Sequence, residues 1–256
     1  MLLRKTLMVV VAIAALALTV VASGDKTPSA VDILKKADEV GFAQSTKFEL
    51  TQTVVAPGGE KRTFEMLSYS QNGNEKGLTE YLAPNQVRGM KILTLSDGDD
   101  IWVYFPRTNR VRKIASSARN RKVQGSDFTY DDMASGKMAK SWKGKVLGSE
   151  KKHGVDCHKL ALTPTKSGPK SYSKVTAWID KSNHTTVSID YYDEDGEKTK
   201  RLDISGYKKI NKVLIPHKYT MTNELDGGKT VMKVKQAEVN LRLKSGLFTE
   251  AGLGGR

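Results

Sequence analysis

From Lys47 to Leu241 the chain repeats one device: a short segment of alternating apolar and polar residues, a turn signal, then another such segment. Alternation with a period of two marks a strand with one buried face. Phe48-Glu49-Leu50-Thr51 leads through Ala56-Pro57-Gly58-Gly59 to Thr63–Tyr69, and Asn72-Gly73 turns the chain again. Asp97-Gly98 stands between Lys91–Leu95 and Ile101–Phe105, a strong hairpin signal. Later strands are predicted at Cys157–Leu162, Lys174–Ile179, Thr186–Tyr192, Lys198–Ile204, Leu214–Leu225 and Thr230–Leu241, with Asp195-Gly196 and Asp226-Gly227-Gly228 among their turns. No segment from Lys140 onward has a helical period. About ten strands joined by hairpins make a mainly β protein with a few helices, built on one curved antiparallel sheet or open barrel.

The N-terminal part differs. Arg4 and Lys5 precede an apolar run from Leu7 to Ala22, so residues 1–22 read as a cleaved secretory signal. The run is short for a membrane span, and no basic cluster follows it at once. Ser29-Ala30-Val31-Asp32 then opens a capped helix with Ile33, Leu34, Ala37 and Val40 on one stripe, stopped at Gly41. A helix this short needs a docking partner, which the sheet supplies. No Pro/Ser/Gly-rich linker divides residues 23–256, which are read as a single domain, with Thr163–Gly168 as a long hairpin loop.

Charge and chemistry narrow the function. The formal charge is +14, and removal of Arg4 and Lys5 leaves +12. A basic protein outside the cytoplasm meets anionic phospholipid head groups and acidic polymers rather than nucleic acid, while scattered lysines also serve solubility. Cys157 is the single cysteine, so it has no disulfide partner, and it sits in an alternating strand pattern that points it into a core. Gly227-Gly228-Lys229-Thr230 lacks the first glycine and the following helix of a phosphate loop. The acidic turn Asp193–Glu197 has the wrong spacing for a calcium loop. The four histidines show no helical metal-ligand spacing, and no serine sits in a nucleophile elbow. These absences argue against an enzyme, with no catalytic residue, metal or cofactor expected.

One stretch stands apart. Trp102-Val103-Tyr104-Phe105-Pro106 is followed by Arg110-Val111-Arg112-Lys113-Ile114, Arg119-Asn120-Arg121 and Gly125-Ser126-Asp127-Phe128-Thr129-Tyr130-Asp131-Asp132. On a strand Trp102 and Tyr104 share one face, and Ile101, Val103 and Phe105 share the other. Both faces are apolar, which suits a strand packed on one side and lining a sheltered cavity on the other; a central strand followed by a basic loop fits as well. Asp127 or Ser126 caps a helical turn. The nearby arginines are charge partners for the carboxylates, in a clamp assigned to Arg119, Asp127 and Asp131.

These residues resemble the LolA-like outer-membrane lipoprotein-sorting proteins, in particular a subgroup with W-x-Y-x-P, R-V-R-[RK]-I and G-S-D-F-[ST]-Y-x-D segments. Leu147-Gly148, Tyr172 to Trp178-Ile179-Asp180, Tyr192 to Gly196 and Leu247-Phe248-Thr249 fit later landmarks in order. The resemblance implies a curved antiparallel half-barrel with helices covering an apolar concave face. It also implies a periplasmic carrier that shelters acyl chains of lipoproteins or lipids on the way to the outer membrane. Expected partners are that cargo, an inner-membrane lipid exporter, an outer-membrane acceptor and, transiently, the membrane surface. A sensor or accessory subunit of a lipid exporter, binding a protein partner, is the alternative; an enzyme acting on envelope lipids is disfavoured. Phe64, Met66, Trp102, Tyr104, Phe128 and Met133 are the expected cavity lining, and Arg110 and Arg112 the expected head-group contacts. Ser126–Met133 and the Ser29–Val40 helix are expected to cover the cavity.

Overall fold

The computed structural model describes residues 28–134 and 136–254, so the predicted signal segment lies outside the described residues. The chain runs α1 (Ala30–Val40), β1 (Ser45–Val55), β2 (Lys61–Gln71), β3 (Lys76–Ala83), β4 (Lys91–Leu95), β5 (Asp100–Phe105), β6 (Arg110–Lys113), α2 (Tyr130–Met133) and α3 (Met138–Ser141). It continues through β7 (Trp142–Lys152), β8 (Val155–Pro164), β9 (Lys174–Asp180), β10 (Thr186–Tyr192) and β11 (Lys198–Ser205). The last elements are β12 (Lys208–Ile210), β13 (Val213–Ile215), β14 (Lys218–Asn223), β15 (Lys229–Val239) and α4 (Glu250–Leu253).

Among the described residues thirteen strands form one sheet in the order β6-β5-β4-β3-β2-β1-β15-β14-β11-β10-β9-β8-β7, and β12–β13 is a separate hairpin. All pairings are antiparallel, and β1 joins the two halves through β15. Register shifts at Glu49/Leu50, Glu65/Met66 and Val146/Gly148 mark bulges, which bend strands and curve the sheet. The sheet stays open: β6 and β7 are its two edges. Both edges are guarded by cations, Arg110, Arg112 and Lys113 on β6 and Lys143, Lys145, Lys151 and Lys152 on β7, which discourage addition of a further strand.

This topology fixes where the cover lies. The strands β6 and β7 are consecutive in sequence yet sit at opposite edges, so the chain between residues 113 and 142 must span the open sheet. It does so with α2 and α3 on the way. Inward residues of the first half (Leu50, Val54, Phe64, Met66, Tyr81, Ile92, Ile101, Val103) pack under this crossover with Val123 and Ala134. Those of the second half (Leu160, Leu162, Ala177, Ile189, Tyr191, Leu202) pack with Phe128 and the α1 residues Ala30, Ile33 and Leu34. Ser29 caps α1, its hydroxyl accepting from the Asp32 amide at 3.2 Å. Gly98, in the β4–β5 turn, has φ +93, and a Cβ there would collide with the Ala134 carbonyl, so glycine lets the turn touch the crossover.

Four details depart from the sequence reading. Pro216 has no amide hydrogen, and the expected strand Leu214–Leu225 is divided there into β13 and β14. The strands β3 and β7 had no strong alternating signal, and Arg110–Lys113 is an edge strand rather than a loop. A one-turn helix, α4, is capped by Thr249 near the C-terminus. Its Leu253, with Leu247 and Phe248, covers a patch on the convex face made by Leu78, Leu93, Trp102 and Tyr104.

Candidate ligand cavity

The Gly125–Asp132 segment is held to the sheet by its own acids. Asp127 donates its amide to Thr230 Oγ1 at 2.9 Å and accepts from that hydroxyl through Oδ2 at 2.8 Å, at the start of β15. Lys122 Nζ lies 3.1 Å from its other oxygen. Asp131 accepts from the Lys170 and Ser171 amides at 3.0 and 3.2 Å, and from the Ser171 hydroxyl at 2.6 Å, in the loop before β9. Asp132 closes a capping box with Thr129, whose amide reaches its Oδ2 at 2.7 Å. The same carboxylate takes the Lys200 ammonium of β11 at 2.5 Å and the Tyr172 hydroxyl at 2.7 Å. Lys200 also lies 4.9 Å from the Tyr172 ring centre and 5.4 Å from that of Tyr191. Burial pushes both phenols well above their ordinary range, so Tyr172 remains a hydrogen-bond donor.

Arg119 completes these links. Its guanidinium lies 3.4 Å from Asp131 Oδ1 and donates to the Gly98 and Asp99 carbonyls at 2.7 and 2.5 Å. The carboxylate partners differ from the cluster of arginines expected: Asp127 is served by Lys122 and Thr230, and Asp132 by Lys200. Arg119→Ala is expected to destabilise by about 1.5–3 kcal/mol, as hydrogen bonds to a charged group do. Arg119→Lys, which keeps the charge without the planar fork, should restore less than half of that. Urea unfolding of the three proteins checks both statements.

Beneath the crossover lies a cavity of about 370 Å³. Its floor is the concave sheet: Phe48 and Leu50 on β1, Met66 and Ser68 on β2, Thr79 on β3, and Ile92 and Thr94 on β4. The far half adds Ile189, Tyr191, Leu202, Ile204, Tyr219 and Met232, and the roof comes from Phe128, Met133, Met138 and Trp142. A second, more open recess of about 530 Å³ meets the cavity at Ser70, Asn74 and Gly136. It lies between α1, α3 and the ends of β1 and β2, bordered by Lys35, Phe42, Thr46, Lys137 and Lys140. Asp38 of α1 bridges to α3 there, accepting from the Met138 and Ala139 amides at 2.8 and 2.9 Å. Burial raises the pKa of this carboxyl, and the two amide donors pull it back down.

The expected lining residues separate into three groups. Met66, Phe128 and Met133 are on the cavity wall. Phe64 is buried just beyond it, edge-on to Tyr81 at 5.8 Å. Trp102 and Tyr104 are on the convex side of the sheet, opposite Leu93 and Lys91, so they line no part of the cavity. Both faces of β5 are apolar because the C-terminal segment covers the outer one. Arg110 and Arg112 are exposed on the edge strand, away from the wall of both the cavity and the recess. The cations that border the recess, Lys35, Lys137 and Lys140, carried no motif and were missed; only the topology brings them together. Cys157 is buried with Trp178 and Val187 on the convex side, and burial raises its thiol pKa. Among the described residues no helix is long and apolar enough to cross a membrane, and no group of His, Cys, Asp or Glu is placed to hold a metal ion.

With that geometry the comparisons agree. Residues 73–254 match a sequence-family model described as an uncharacterized protein. No curated protein matches the chain. A domain from Vibrio parahaemolyticus, described as outer membrane lipoprotein-sorting, superposes with a TM-score of 0.81 at 25% identity, over 88% of this chain and 97% of that one. A DUF1329 family protein from Desulfovibrio piger gives 0.81 at 25% identity, over 87% and 97%. A LolA superfamily protein from Nitrosomonas europaea gives 0.73 at 23% identity, over 88% and 99%, a likeness of fold. The chain thus belongs to the family of that sequence model, and its large antiparallel sheet has the fold of the LolA-like and outer-membrane lipoprotein-sorting structures it resembles.

Proposed function

We propose that the protein is a periplasmic carrier that shelters the acyl chains of lipoproteins or lipids in the concave cavity during transfer toward the outer membrane. The observation that carries this reading is the 370 Å³ cavity under the crossover, walled mostly by aliphatic, aromatic and methionine side chains. Its volume falls in the range of small-molecule sites, roughly 300–1,000 Å³. Each acyl methylene taken out of water contributes about 0.8 kcal/mol, so a partly sheltered chain already binds well. Methionines at Met66, Met133, Met138 and Met232 suit a wall that must adapt to chains of different shape. The role requires binding without turnover.

Release requires an opening, and the anchors suggest where. The Ser126–Met133 segment is tied to β11, β15 and the loop before β9 by buried polar links, which favours a fixed roof. In contrast, α1 and α3 are joined to each other by Asp38 and border the recess, so they form the movable part of the cover. Native mass spectrometry of the mature protein, extracted from periplasm without detergent, tests the reading. A retained mass of lipid or lipopeptide size is expected. A clean apoprotein that also rejects added acyl ligands would exclude a carrier and favour a protein-binding accessory subunit of an exporter.

A further inference from the structure

The cavity has a direction. Along β1 the inward residues are Thr46, at the recess, then Phe48 and Leu50 on the wall, then Gln52. On β2 the same sequence is Ser70, Ser68, Met66, then Phe64, and on β3 it is Gly77, Thr79, then Tyr81. Gln52 and Tyr81 therefore stand one strand step beyond the wall, at the end far from the recess. Six residues of strand from Thr46 to Gln52 cover about 20 Å.

Both side chains are fully buried, and their surroundings are apolar. Neither Gln52 Nε2, Gln52 Oε1 nor Tyr81 Oη has a hydrogen-bond partner. Leaving such groups unpaired in an apolar core costs free energy that leucine, methionine or phenylalanine at these positions would avoid. Met232 is opposite Gln52 in the ladder, and Met66 is opposite Tyr81. Both methionines are on the cavity wall, and rotation about their unbranched side chains would lengthen the cavity toward the two polar groups.

We propose that Gln52 and Tyr81 are a polar recognition point at the deep end of the cavity, reading a hydroxyl or carbonyl carried on the apolar part of the ligand. The amide of Gln52 offers a donor and an acceptor side by side, and the Tyr81 phenol can do either. A hydroxyl, which donates and accepts at once, satisfies the pair best. The preferred cargo is thus an amphiphile oxygenated far from its head group, not a plain hydrocarbon chain. A site built to hydrogen-bond such a group discriminates strongly against the analogue that lacks it, because its own polar atoms then stay unpaired.

The inference rests on the carrier reading, and one experiment separates their failures. Palmitate and ω-hydroxypalmitate are compared by isothermal titration on the mature protein, on Gln52→Met and on Tyr81→Phe. The wild type is expected to favour the hydroxylated probe by at least about tenfold, and Gln52→Met to abolish that preference while binding palmitate as well or better. Tyr81→Phe should reduce the preference and provides the comparison should Gln52→Met not fold. Equal binding of the two probes by the wild type overturns the inference but leaves the carrier intact. A preference unchanged in both variants also overturns it and assigns the polar atoms to internal water. If neither probe binds, the carrier reading falls and this one with it.

Discussion

Asp132→Ala is expected to lower the free energy of unfolding by about 3–5 kcal/mol, the range for breaking a buried pair from one side. The carboxylate does three jobs at once: it closes the Thr129 capping box, accepts the Tyr172 hydroxyl and neutralises Lys200. Lys200 is only 7% exposed, so without Asp132 its ammonium is left in a low-dielectric pocket beside two tyrosine rings and the Asp127 carbonyl at 3.4 Å. Neither cation–π contact nor a carbonyl replaces a carboxylate at 2.5 Å. The double variant Asp132→Leu/Lys200→Met should lose less than Asp132→Ala alone, because removing both charges takes away the desolvation cost together with the attraction. Urea unfolding measures both. A loss below about 1 kcal/mol for the single variant would make the pair equivalent to a surface ion pair and remove the case for a fixed roof.

How far the sequence foretold this arrangement can be argued strand by strand. Strands with one face in the core, such as β1 and β11, were legible, as were the hairpins at Asn72-Gly73 and Asp97-Gly98. At β7 the signal vanished because an edge strand rich in lysine exposes most of its length, so alternation has nothing to report. For the acids of the Gly125–Asp132 segment a clamp with the nearby arginines was expected, and Arg119 does lie on Asp131, but their other partners carried no signal. Thr230, Ser171 and Lys200 lie 40 to 103 residues away in sequence and are joined to them by sheet order alone. Trp102 and Tyr104 were misplaced for a related reason. An apolar outer face looks the same in sequence whether a ligand or the chain's own C-terminus covers it, and here Leu247, Phe248 and Leu253 cover it.

Met133→Glu is expected to abolish acyl binding while leaving the fold in place. Met133 is half-buried at the end of α2, with its side chain on the cavity wall rather than among the polar anchors, so an acidic side chain of similar length can still reach solvent when the cavity is empty. Cargo removes that option: the carboxylate must then be desolvated against hydrocarbon, at a cost of several kcal/mol or of taking up a proton. A loss of affinity for palmitate of more than about 100-fold, near 2.7 kcal/mol, is the expected result by titration at neutral pH. Protonation of the glutamate relieves the cost, so binding should recover as the pH falls through its raised pKa in the complex. Met133→Ala keeps the wall apolar and only enlarges it, so it should cost less than about tenfold. Leu225→Glu, at an exposed turn far from the cavity, should change nothing. Undiminished binding by Met133→Glu would mean that acyl chains lodge elsewhere on the protein, whatever the shape of the concave face suggests.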